Sequence, residues 1–214
     1  MRIDLSGVIP VPIAEMPDHS KEVWPLNLTF GNDDSVLISS SSGRGKTSLL
    51  HFSYGIRSDY HGTISLDGKD IRTIKPLEWA AIRRERLSMV FQDLRLFDDL
   101  TGMENITLKA ALTGAPDLNH IRAMAEQLSL LPFLDGRPVR TLSFGQQQRV
   151  AILRALVQPF DLLLLDEPFS HLDEENSEKA LNLIRSESNK RKAGIVLTTL
   201  GNTGSYTPTA QVKL

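Results

Sequence analysis

Three groups of residues in this 214-residue chain have the types and spacing for phosphate chemistry. The first is SSSSGRGKTS, Ser39–Ser48, where small residues follow an apolar run and Gly-Lys-Thr opens a helical pattern. Such a loop turns backbone N–H groups inward and adds the partial positive charge of a helix N-terminus. Ser42, Gly43, Arg44, Gly45 and Ser48 would form the cradle. Lys46 would reach the β- and γ-phosphates, and Thr47 would offer its hydroxyl to Mg²⁺. The pattern G-x-x-x-x-G-K-[ST] puts a glycine where this chain has Ser40. Serine fits there if the position needs no positive φ.

The second group is Asp166-Glu167, closing the apolar run FDLLLLDEP. Adjacent residues on an extended chain point different ways, so Asp166 can serve a metal while Glu167 faces an attacking water. A charged turn after a strand is common by itself, and the pair gains meaning from the phosphate loop upstream. The third group is LSFGQQQRVAILRAL, Leu142–Leu156. Ser143 is placed to cap a helix whose first amides are unpaired, which makes Ser143, Gly145 and Gln146 a second anion site.

The elements that must position these groups can be traced along the chain. RIDLSGV, VWPLNLTF and GNDDSVLIS suggest strands and turns over residues 1–38, and HGTISLDGKDI a hairpin turning at Asp67-Gly68. A charged helix over 76–86 leads into the strand LSMVFQ. Residues 93–141 are helical in pattern, followed by the Ser143 helix, the buried strand LLLL, the solvated helix EENSEKALNLIRSESNKRK and a last core strand, AGIVLTT. This order predicts an α/β fold: a mainly parallel sheet, an N-terminal antiparallel β region and an inserted helical subdomain. The expected division is a core of about 1–92 and 150–200, a helical lobe of about 93–149 and a weakly ordered polar tail of 201–214.

Bulk properties bound the function. Hydrophobic residues make up 41% and charged residues 23%, as in ordinary globular proteins. A net charge of −2 gives no support to nucleic-acid binding. There is no cysteine, which fits a reducing compartment and excludes thiol chemistry. The N-terminus lacks a secretory pattern, and no apolar run approaches a membrane span.

Taken together, the loop, the Leu-Ser-x-Gly-Gln run and the carboxylate pair resemble the ATP-binding cassette (ABC) ATPases over roughly residues 20–200. The segment IRRERLSMVFQDLRLFDDLTGMENITL is most similar to the lipoprotein-release, macrolide-export and cell-division branch. The resemblance implies a P-loop NTPase (RecA-like) core that binds ATP and Mg²⁺. It implies Thr47, Gln92 and Asp166 around the metal, and Glu167 and Gln92 at the attacking water. It further implies head-to-tail pairing of two cassettes, in which Ser143 and Gly145 of one contact the γ-phosphate held by the other. FSHLD, Phe169–Asp173, matches the loop that crosses that interface, with Asp173 its key acid. A separate transmembrane permease is the implied partner, with no nucleic acid, and the implied location is the cytoplasmic face of the membrane.

The chain also departs from the family. Phe144 stands at a position that is commonly glycine. Thr199 stands where a histidine usually contacts the γ-phosphate, which predicts ATP binding with slow hydrolysis. The window expected to hold an adenine-stacking aromatic has only Met16, Pro17 and His19, with Trp24 slightly beyond it. The expected function is the ATPase subunit of a transporter or related membrane complex, and the alternative is an ATP-gated scaffold with little hydrolysis.

Overall fold

The strand expected in FDLLLLDEP runs over Leu162–Asp166, buried throughout. In the computed structural model, which describes residues 1–16, 23–114, 116–201 and 205–214, its side chains alternate between two cores. Leu162 and Leu164 feed one, Leu163 and Leu165 the other. Burial on both faces explains why the sequence shows a continuous apolar run there. The sheet around it contains β3 (Ser35–Ser39), β6 (Leu87–Val90), β7 (Leu162–Asp166), β8 (Gly194–Thr199) and β9 (Ala210–Lys213), in the order β6-β7-β8-β3-β9. Every pairing in it is parallel.

A second, antiparallel sheet has the order β2-β1-β4-β5. It comprises β1 (Arg2–Pro10), β2 (Leu26–Gly31), β4 (Tyr60–Leu66) and β5 (Lys69–Asp70). The Asp67-Gly68 turn has φ of 50° and 83° at its two residues, the left-handed pair that such a hairpin requires. The two sheets meet at glycines: a Cβ on Gly194 would lie 1.9 Å from the Gly31 carbonyl oxygen, so no side chain fits.

Helices α2 (Lys46–Ser53) and α3 (Pro76–Glu85) pack in the core between the sheets, and α8 (Glu174–Arg191) packs in the other. The helical lobe holds α4 (Gly102–Ala110), α5 (Leu118–Gln127), α6 (Leu131–Leu134) and the start of α7 (Phe144–Leu156). Its Ile106, Ile121, Met124 and Leu128 share one core with Leu153, Leu163 and Leu165. Helix α7 runs through residue 149, so the expected line between lobe and core falls inside one helix.

Two segments differ from the sequence expectation. The tail after Gly201 was expected to be weakly ordered, yet it carries β9, whose Lys213 pairs with Ser39 of β3. AQVK alternates apolar and polar residues, but over too short a run to mark a strand by itself. Tertiary contacts make it a strand: the Ser35 N–H donates to Thr209 Oγ1 at 2.9 Å, and Ser35 Oγ donates to Tyr206 Oη at 2.7 Å. The other segment is α1 (Val11–Ala14), a single turn that buries Ile13 where only strand and turn were expected.

Candidate active site

Strands β3, β7 and β8 end along one edge of the parallel sheet, with Ser39 beside Thr199 and Asp166 beside Thr198. The loop Ser40–Gly45 leaves that edge and returns as α2. Gly45 turns it at φ +95°, where a Cβ would sit 2.9 Å from Ile13 and 3.0 Å from Trp24. Ser40, the departure from the glycine pattern, lies outside the left-handed region and is tolerated. It is also used: Ser40 Oγ accepts from Lys46 Nζ at 3.3 Å and donates to the Ser41 carbonyl at 3.0 Å.

Lys46 is buried at the centre of the loop. Its ammonium donates to the carbonyls of Ser40 (2.9 Å) and Ser41 (3.2 Å) and lies 3.6 Å from Glu167 Oε1. Thr47 Oγ1 donates to Gln92 Oε1 at 3.3 Å. Residues Ser42–Ser48, Gln92 and Glu167 line a single cavity of about 290 Å³. Ser48 Oγ also accepts from Arg57 at 2.9 Å, which ties the start of α2 to the body. The predicted phosphate-loop residues are therefore assembled with Gln92 and Glu167 in one place.

Asp166 is fully buried at the sheet edge. Its Oδ1 accepts from Thr198 Oγ1 at 2.8 Å, and Thr198 Oγ1 in turn accepts from the Glu167 N–H at 3.1 Å. Burial pushes the Asp166 carboxyl above its ordinary value, opposed by the Thr198 and Thr47 hydroxyls and by Lys46. Thr198 is a site residue that the sequence reading missed; its signal is a threonine one place before the expected strand end, in register with the acid. Glu167 has φ +47°, a left-handed turn that breaks the strand direction right after Asp166. Its carbonyl accepts from Gln148 Nε2 at 3.1 Å, and Gln148 Oε1 accepts from the His171 N–H at 3.1 Å. Gln148 thus joins α7, the carboxylate turn and the following loop.

Thr199 Oγ1 accepts from the Gly201 N–H at 3.1 Å and donates to the Gly201 carbonyl at 3.2 Å. It lines a neighbouring cavity of about 270 Å³ with Glu167 and Thr198.

The remaining predicted residues stand elsewhere. Ser143 caps α7 as expected: Ser143 Oγ accepts from the Gln146 N–H at 3.3 Å, and Gln146 Oε1 accepts from the Ser143 N–H at 3.0 Å. Ser143, Gly145 and Gln146 do not line the phosphate cavity. Phe144 beside them is 47% exposed. Asp173 caps α8, accepting from the Asn176 N–H at 2.8 Å. Among the adenine candidates, Trp24 is a core residue at 7% exposure, packed beneath Gly45. Met16 lines the phosphate cavity with Pro10, Pro12 and Ile13. Pro17 and His19 lie outside the described residues.

The donor set fits Mg²⁺. Asp166 Oδ2 is buried with no hydrogen-bond partner among the described residues, an arrangement that a bound cation or its water would satisfy. Thr47 Oγ1 and Gln92 Oε1 are hard oxygens already side by side. Among the described residues no group of three or more His, Asp or Glu could hold a metal ion by itself. No helix among them is long and apolar enough to cross a membrane.

Known proteins resemble this chain in sequence and fold. The ABC transporter family profile matches residues 23–170. The lipoprotein-releasing system ATP-binding protein LolD 1 of Caulobacter vibrioides is 34% identical over 177 residues, 81% of this chain and 76% of that one. The macrolide export ATP-binding/permease protein MacB of Brucella melitensis is 36% identical over 176 residues, 81% of this chain and 27% of that one. MJ0796, a bacterial ABC transporter cassette solved as a dimer, superposes with a TM-score of 0.77 at 27% identity, over 92% of this chain and 87% of that one. The same cassette in a dimeric post-hydrolysis state bound to ADP and Pi gives a TM-score of 0.75 at 28% identity over the same shares. From the match over 23–170 and these relatives, the chain belongs to the ABC transporter family and is one of its ATP-binding domains.

Proposed function

We propose that this chain is the ATP-hydrolysing subunit of a membrane transporter, working as a pair of cassettes beneath a separate permease. Lys46 and the amides of Ser42–Ser48 hold the β- and γ-phosphates of ATP. Mg²⁺ held by Thr47, Gln92 and Asp166 would neutralise phosphate charge. Glu167 takes a proton from the attacking water as its oxygen bonds the γ-phosphorus and the bond to the bridging oxygen breaks, giving ADP and Pi. Ser143 and Gly145, which are absent from their own chain's phosphate cavity, complete the site of the second cassette. The dimeric cassettes among the solved relatives support that pairing.

The observation that carries this reading is the buried constellation of Lys46, Glu167 and the unpartnered Asp166 oxygen at one sheet edge. One lysine beside two carboxylates leaves a net negative charge that a divalent cation at this edge would offset. The permease is supported by a groove of about 410 Å³ between core and lobe, lined by Phe91, Phe97, Leu108, Lys109, Leu112 and Arg154 among others. Phe91 precedes Gln92, so a segment seated in the groove is one residue from the phosphate cavity. The helical lobe is the moving part, and the subunit sits on the cytoplasmic face of the membrane through its permease.

The experiment is steady-state ATP turnover of the purified chain beside Glu167→Gln, with and without its membrane partner. The proposal expects turnover that Glu167→Gln lowers by about 10²–10⁴ without loss of nucleotide binding. Equal rates in both would refute it. The second reading, an ATP-gated scaffold with little hydrolysis, draws on Thr199, whose hydroxyl is engaged with Gly201 and carries no charge. It expects Thr199→His to raise wild-type turnover.

A further inference from the structure

The cavity beside Glu167 is lined by Pro168, Phe169, Ser170, Thr198, Thr199 and Leu200, with Glu167 and Gly201. None of these has a cationic side chain or an imidazole. At about 270 Å³ it has room for an imidazole. The chain has five histidines. His19 lies outside the described residues. His51 is half-buried against the Phe91 ring at 5.9 Å, His61 is in β4, and His120 lies 3.4 Å from Glu187.

His171 is different. It is exposed, and its ring packs edge-on to Phe144 with centroids 4.2 Å apart. Its N–H is held by Gln148, and its carbonyl oxygen lies 2.9 Å from where a Cβ on Gly145 would be. The imidazole therefore rides on the first turn of α7, beside Ser143 and Gly145. Whatever that turn approaches, His171 approaches with it.

We propose that His171 acts in trans: it enters the cavity beside the Glu167 of the second cassette and donates a hydrogen bond to the γ-phosphate there. This rests on the head-to-tail pairing proposed above. His171 moves no proton in the step; it offsets charge on the phosphoryl oxygens while Glu167 accepts the proton from water. Phe144 is then the platform that orients the ring. The two departures, Phe144 and Thr199, become halves of one compensated arrangement.

The test uses the full chain carrying two affinity tags, so that mixed dimers can be purified. His171→Ala should lower turnover at least tenfold with Mg-ATP affinity unchanged, and adding Thr199→His should restore it. A dimer with Glu167→Gln and His171→Ala on the same protomer should be inactive, because its intact Glu167 faces the missing histidine. A dimer with the two substitutions on opposite protomers should keep one working site. The reverse order places His171 in its own chain's site and overturns the proposal, as do equal rates in the two mixed dimers. A wild-type rate no higher than that of Glu167→Gln also overturns it. If Glu167→Gln stays monomeric in Mg-ATP, the pairing itself fails. If it dimerises and the two mixed dimers do not differ, only the role of His171 fails.

Discussion

The two parts of this molecule proposed to bind phosphate are built in opposite ways. The loop Ser40–Lys46 is an interior structure, with Lys46 buried among two carbonyls and a carboxylate, and Trp24 and Ile13 packed under Gly45. The turn Ser143–Gly145 is an exterior one, held by its own capping box and bordered by two exposed rings, Phe144 and His171. The first can bind a phosphate within one chain. The second is the proposed site for a phosphate presented by another copy or a close relative. Stability and ligand affinity should therefore respond to the first region, and assembly to the second.

The largest expected effect tests that division directly. Lys46→Ala should weaken Mg-ATP binding about 100-fold, the loss of a charge-assisted contact of roughly 2–3 kcal/mol, while Ser143→Ala leaves the affinity of the monomer within about twofold. Titration with a fluorescent ATP analogue measures both. Similar losses in the two variants would erase the distinction drawn here.

Next comes the support beneath the loop. Thr198→Val removes the hydroxyl that serves both Asp166 and the Glu167 N–H, leaving two buried groups unpaired. Thermal or urea unfolding should show a loss of about 1–3 kcal/mol. A change under a few tenths would mean that water replaces the hydroxyl.

Asp166→Asn should move the other way. Burial raises the Asp166 carboxyl, so the folded chain holds that proton more tightly than the unfolded chain does. The cost of ionising it is absent at low pH. It sets in as pH rises past the ordinary carboxylate value and is complete above the raised folded value. Metal-free Asp166→Asn should then be more stable than wild type at pH 7, with the gap closing as pH falls through the ordinary carboxylate range. Mg²⁺ should stabilise wild type and not the variant. Melting curves across pH, with and without the ion, decide it.

The smallest effect belongs to the exterior turn. Ser143→Ala breaks the α7 capping box and should cost about 1 kcal/mol in unfolding experiments. Ser143→Asp retains a capping oxygen and should recover most of that stability, while placing a negative charge where the partner's phosphate would sit. A Ser143→Asp chain that is stable and still assembles on ATP would separate this turn from phosphate binding.

Much of this was legible in the sequence because the rules involved are local. A small-residue loop before Lys46, an apolar run ending in two acids, and Ser143 three residues before Gln146 each announce themselves within ten residues or so. Thr198 and Gln148 did not, since their partners lie 31 and 19 residues away across strand register and helix packing. Trp24 could have been an adenine platform or a core residue on composition alone, and the packing under Gly45 made it core. The strand β9 escaped notice because AQVK alternates over only four residues at the end of a polar stretch; the free edge of β3 supplies its ladder. The helix-to-core boundary was blurred for a related reason, as α7 belongs to the lobe at its start and to the sheet at its end.

The central claim is that ATP is held between two such chains, the loop of one facing the Ser143 turn of the other. Sedimentation velocity of Glu167→Gln with millimolar Mg-ATP measures it most directly. The account predicts a monomer without nucleotide, a dimer with it, and a return to monomer on adding Ser143→Asp. A Glu167→Gln chain that binds Mg-ATP and sediments as a monomer, or a dimer indifferent to Ser143→Asp, would contradict it.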